Sequence, residues 1–144
     1  MNKSKIKTIA FWVTTIFGPA SFVIGGTFFL IRGETQLDVF DRLGYPAYML
    51  TILGFWKLLG AIAIVIPRFP RLKEWAYAGF AFELSGAAAS HAFSGASIGV
   101  ILQPVFFLAL VIASWALRPP SRKLAGAGSA QAPAGGPIQG SHVA

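Results

Sequence analysis

Two neighbouring stretches decide the reading of this chain: Met49-Leu-Thr-Ile-Leu-Gly-Phe-Trp-Lys57-Leu-Leu-Gly-Ala-Ile-Ala-Ile-Val-Ile66 and Trp75-Ala-Tyr-Ala-Gly-Phe-Ala-Phe-Glu83-Leu-Ser-Gly-Ala-Ala-Ala-Ser-His91-Ala-Phe93. Each is long and apolar enough to cross a bilayer as a helix, yet each holds one ionisable residue near its middle, Lys57 and Glu83. A charge at bilayer depth costs about 3 kcal/mol on insertion scales and persists when it is paired or faces a cavity. The turn between the stretches centres on Pro70–Arg71, with Lys57 about 14 residues before it and Glu83 about 12 after, so at 1.5 Å per residue both lie roughly 20 Å from the turn. In an antiparallel hairpin they are level. The expectation is an intramembrane Lys57–Glu83 ion pair.

Composition agrees with a chain dissolved in lipid. Of 144 residues, 55% are hydrophobic and only 12% charged, against roughly 25% charged in a soluble domain; the mean hydropathy is +0.64. Four apolar segments can be read, about 8–31, 46–66, 75–94 and 98–117. The predicted fold is all-α: a polytopic membrane protein, a bundle of four transmembrane helices filling 1–123. Lys3, Lys5 and Lys7 before the first segment resemble the start of a signal peptide, but its apolar run is far longer than a signal core and has no clear cleavage site. It reads as an uncleaved first helix, kinked at Gly18–Pro19.

Basic residues set the orientation. Lys3, Lys5, Lys7, Arg68, Arg71, Lys73, Arg118, Arg122 and Lys123 fall on one side of the predicted spans, and only Arg32 and Arg42 on the other. That bias predicts both termini in the cytoplasm. The net charge of +7 therefore reads as topology anchors and lipid-headgroup contacts rather than nucleic-acid binding. Between the first two spans, Leu37, Phe40 and Leu43 would share one face of a short interfacial helix. The stretch 124–144 is Gly, Ala, Pro, Ser and Gln with little apolar bulk, and reads as a flexible cytoplasmic tail.

The absence of cysteine excludes disulfides, thiolate zinc sites and cysteine-held iron–sulfur clusters. Serines lack a base and orienting group for a hydrolase triad, no phosphate-cradling loop is present, and one His with one Glu is too few for a metal site. No resident metal or cofactor is expected. Small residues form stripes on three spans: Thr14, Gly18, Ser21 and Gly25; Gly54, Gly60 and Ala61 beside Lys57; and Ala76, Gly79, Gly86, Ala87, Ser90 and Ser94 beside Glu83. Such stripes predict close helix contacts in lipid. Above the ion pair, Tyr48, Ser90, His91 and Gln103, with Tyr45, form a candidate outward-opening polar pocket. A structural clamp and a proton relay or ligand-binding couple both fit Lys57 and Glu83; His91 fits interfacial hydrogen bonding or acid–base chemistry.

Three blocks in order, Leu43-Gly-Tyr-Pro-Ala-Tyr48, Lys57-Leu-Leu-Gly-Ala61 and Pro67-Arg-Phe-Pro-Arg-Leu-Lys-Glu-Trp-Ala-Tyr-Ala-Gly-Phe-Ala-Phe-Glu-Leu-Ser-Gly-Ala-Ala-Ala-Ser-His91, resemble the DoxX-like family of small bacterial four-helix membrane proteins. The resemblance covers about 8–117 and implies a multi-pass protein of the bacterial inner membrane. Wider DoxX relatives include a subunit associated with thiosulfate:quinone oxidoreduction, so an accessory or anchoring subunit is implied, with a soluble oxidoreductase or a quinone as partner. Two alternatives stay open: a binding protein or enzyme for a quinone- or isoprenoid-like molecule at Lys57, Glu83 and His91, and a small transporter. Four helices are few for alternating access, so transport would call for a homo-oligomer.

Overall fold

A computed structural model describes residues 2–124; the stretch read as a tail lies outside them apart from Leu124. Among the described residues the fold is all-α. Helix α1 (Lys3–Phe17) stops where Pro19 removes a backbone donor, a short 3₁₀ turn spans Pro19–Ser21, and α2 (Phe22–Leu30) continues beyond it. Gly18 stands at this break for a second reason: a Cβ there would lie 2.6 Å from the Thr14 carbonyl oxygen and 3.1 Å from Leu110 Cβ. Then come α3 (Glu34–Arg42), α4 (Tyr48–Val65), α5 (Pro70–Phe93) and α6 (Ile98–Leu117).

Packing runs in a ring, with α2 against α4, α4 against α5, α5 against α6, and α6 against α1. Phe22, Ala61, Ile64, Tyr77, Phe80, Leu84 and Val111 form the buried core. Helix α3 is the short amphipathic segment between the first two rods: Phe40 is buried, Leu37 and Leu43 are half-buried, and Phe40 packs edge-on to Phe29 at 5.6 Å. The outside is apolar instead of charged. Phe55, Trp56, Phe82 and Phe106 are all more than half exposed, as the surface of a protein surrounded by hydrocarbon should be.

Three units are long and apolar enough to cross a membrane: Lys3–Leu30, Tyr48–Val65 and Ile98–Leu117. Helix α5 is the longest single helix at 24 residues, but Glu83, His91 and its glycines and serines dilute its hydropathy below that of the others.

Two small-residue stripes differ from expectation. The inward face of α1 and α2 runs through Phe11, Thr15, Gly18, Phe22 and Gly26, all buried at helical spacing, so Thr15 and Gly26 take the places expected for Thr14 and Gly25. Gly26 meets Gly54 across α2 and α4; an added Cβ on Gly54 would lie 2.9 Å from the Gly26 carbonyl oxygen, so neither position has room for a side chain. On α5, Tyr77, Phe80 and Leu84 make the buried face. They turn Gly79 and Gly86 outward, where an added Cβ meets nothing within 4 Å.

Candidate functional site

Lys57 is carried on the inward face of α4, where its neighbours Gly54, Ala61 and Ile64 are also buried. Its side chain is only 8% exposed, and Nζ donates a hydrogen bond to Glu83 Oε1 on α5. The ammonium also lies 5.0 Å from the centroids of both the Phe22 and Phe29 rings of α2, whose π-faces attract a cation in a dry site. Close approach at Gly26–Gly54 brings those rings near. One lysine is thus held by a carboxylate on one helix and two aromatic faces on another.

Glu83 differs from its partner in having an open side. Its side chain is 21% exposed and faces a groove of about 580 Å³ between α4 and α5. The rest of the wall is apolar, including Leu53, Trp56, Gly60, Leu72, Trp75 and Phe80. Gly79 also lines it and contributes no side chain, which widens the groove beside Glu83. Chemically, this is an oily slot with one carboxylate, itself neutralised from behind.

The other sequence-predicted residues are not gathered with it. Tyr48 is 58% exposed at the first turn of α4. Gln103 is exposed because the inward face of α6 runs through Pro104, Val111 and Ser114, one step out of phase with it. His91 is half-buried. Ser90 meets one other residue expected in that pocket, Tyr45, hydroxyl to hydroxyl at 2.8 Å. None of Tyr48, Ser90, His91 or Gln103 lines the groove. Among the described residues, no group of three His, Asp or Glu side chains is placed to hold a metal.

Sequence reasoning missed a second polar cluster, toward the end that carries most cations. Thr15, Ser114 and Tyr77 form a buried hydroxyl chain, with links of 2.6 and 2.7 Å. Lys73, 1% exposed, donates to the carbonyl oxygens of Ala63 at 2.8 Å, Ile64 at 2.9 Å and Ile66. It satisfies the free carbonyls at the end of α4. Burial, and then the nearby charges of Arg122 and Arg118, lower its ammonium to about 8. Arg118 is buried too and donates from Nη2 to Glu74 Oε1 at 2.6 Å. Partial burial alone would raise the Glu74 carboxyl, but hydrogen bonds from Trp115 and Arg118, and the charge of Arg118, hold it below its ordinary value. Lys73, expected as a topology anchor, also acts as an internal cap whose ammonium finds three carbonyls of α4 and the turn after it.

A family model described as the DoxX-like family matches residues 13–114. The chain belongs to the DoxX-like family. No curated protein and no solved structure matches it. In this DoxX-like membrane protein the matched span contains the ion pair, the groove and the Gly26–Gly54 contact, while Lys3, Lys7, Arg118, Arg122 and Lys123 lie outside it.

Proposed function

We propose that this DoxX-like protein holds an apolar small molecule, quinone- or isoprenoid-like, in the α4–α5 groove, and serves as an accessory component of a membrane redox system. The observation that carries the reading is the solitary Glu83 carboxylate opening on an otherwise apolar groove of about 580 Å³. Such a slot suits a long hydrocarbon with one polar head. A hydroxyl on that head would donate to the open side of Glu83, while Lys57 holds its Oε1 from the other side.

The protein crosses the bacterial inner membrane four times, with α1–α2, α4, α5 and α6 as the spans and both termini in the cytoplasm. Support comes from where the cations end up. Lys3 and Lys7 share a pocket with Arg118 and Lys123, and Arg122 Nη1 lies 3.2 Å from the Ile64 and Val65 carbonyl oxygens near the α4–α5 turn. In this arrangement the faces of α5 that lack bulk are the ones facing lipid or ligand.

An exposed turn supports the accessory role. Arg68 and Phe69 both adopt left-handed backbone conformations, at φ 72° and 52°, and Phe69 is 63% exposed. A non-glycine pair held there by the fold offers a soluble oxidoreductase a fixed cationic and aromatic contact.

Tryptophan fluorescence tests the groove. Trp56 and Trp75 line it, so a short-tailed hydroxyquinone, whose hydroxyl can donate to Glu83, should quench wild-type emission saturably. Gly79→Leu brings a side chain into the groove at a position where its Cβ has open space, and should abolish saturable quenching while the helical circular dichroism stays unchanged. Equal saturable quenching in both proteins would reject the reading.

A further inference from the structure

Outside the matched family span, the two ends of the described chain meet around a second pocket of about 510 Å³, lined by Lys3, Ser4, Lys7 and Thr8 of α1 and by Arg118 and Lys123 after α6. Among the described residues, four cations and two hydroxyl-bearing residues share its wall, and no acidic side chain does. Lys3 and Lys7 stand four residues apart on one helix face, where like charges repel unless something negative lies between them. That cost has no internal compensation within the wall.

Arg118 makes this more than a scatter of surface lysines. Its side chain is 3% exposed. Nε donates to the Trp115 carbonyl oxygen at 3.0 Å and Nη2 to Glu74 at 2.6 Å, but among the described residues the buried Nη1 has no hydrogen-bond partner. A buried donor left unmatched is costly, and a guanidinium pairs best with carboxylate or phosphate oxygens. Glu74 neutralises the Arg118 charge, so Lys3, Lys7 and Lys123 supply the surplus.

From this geometry we infer that the pocket binds a phosphate anion, presented by the headgroup of an anionic phospholipid. Position favours the lipid source: the pocket joins the first turn of α1 to the segment just after α6, where a phosphate layer would sit beside both helices. Phosphate oxygens would bridge Lys3 and Lys7, reach Lys123, and relieve the repulsion on α1.

The test compares delipidated full-length protein in mixed micelles containing phosphatidylglycerol or phosphatidylcholine, read by native mass spectrometry and by thermal unfolding. Lys7→Gln with Lys123→Gln removes two exposed cations from the wall. Lys5→Gln with Arg71→Gln removes two exposed cations that do not line it. Wild type should bind phosphatidylglycerol and be stabilised by it, and phosphatidylcholine should do neither. The pocket variant should bind about 30-fold more weakly, as expected for two lysines beside an anionic surface, while the control variant binds like wild type. Equal weakening in both variants, or equal stabilisation by both lipids, would overturn the site. Displacement of phosphatidylglycerol by millimolar inorganic phosphate, with retained stabilisation, would keep the phosphate chemistry and overturn the lipid as its source.

Discussion

Lys57 and Glu83, 26 residues apart in sequence, are joined by a direct hydrogen bond between α4 and α5 in which the lysine is sealed and the glutamate is not. This asymmetry separates a pair that only fixes helix register from one that also presents a polar group. Lys57 has its counterion and two aromatic faces; only Glu83 has a free side to offer.

Removing one partner should therefore hurt more than removing both. Lys57→Met would leave a carboxylate at the groove wall, and Glu83→Leu would leave an ammonium among Phe22 and Phe29. Each should cost about 3 kcal/mol, and the double variant should recover most of that loss. Unfolding of the four proteins in mixed detergent micelles measures the cycle. Additive losses would mean that the two residues act independently.

Acid should loosen the Glu74–Arg118 ion pair. Folding lowers the Glu74 pKa below its ordinary value of 4.5. The contribution of Glu74 to stability is thus fully present above 4.5 and is lost as pH falls through the lower folded value. Glu74→Gln should remove that part of the acid sensitivity, leaving a flatter stability profile below 4.5 than wild type. Parallel profiles would show that the Arg118 contact contributes nothing.

Topology follows from the clustering of cations. A reporter inserted within 35–43 should behave as periplasmic, and one fused after Lys123 as cytoplasmic. A cytoplasmic signal from both would mean that α1–α2 does not cross.

Much of this architecture was legible in the sequence because helix depth is a matter of counting. The apolar runs located α4 and α6 closely, the Gly18–Pro19 break was visible as a breaker pair, and the equal distances of Lys57 and Glu83 from their turn followed from the rise per residue. Rotation about the helix axis was harder to read. On α1 and α2 the bulk of Phe11 and Phe22 sets the inward face, which then takes in Thr15 and Gly26 rather than Thr14 and Gly25. On α5, the bulk of Tyr77, Phe80 and Leu84 outweighed the glycine stripe, and this left the groove where a helix contact was expected. The directions of long cations were not legible at all. Nothing local to Lys73 says that its ammonium folds back onto α4, or that Arg118 turns inward to Glu74.

The most direct measurement of the central claim is mass spectrometry of the small molecules retained when the protein is purified from its native membrane in mild detergent. Wild type should carry a quinone- or isoprenoid-like compound in near-stoichiometric amount, and Gly79→Leu, with a side chain in its groove, should lose it while keeping its bulk phospholipids. If that compound is absent from wild type, or is retained equally by Gly79→Leu, the α4–α5 groove is not a ligand site and the account is wrong.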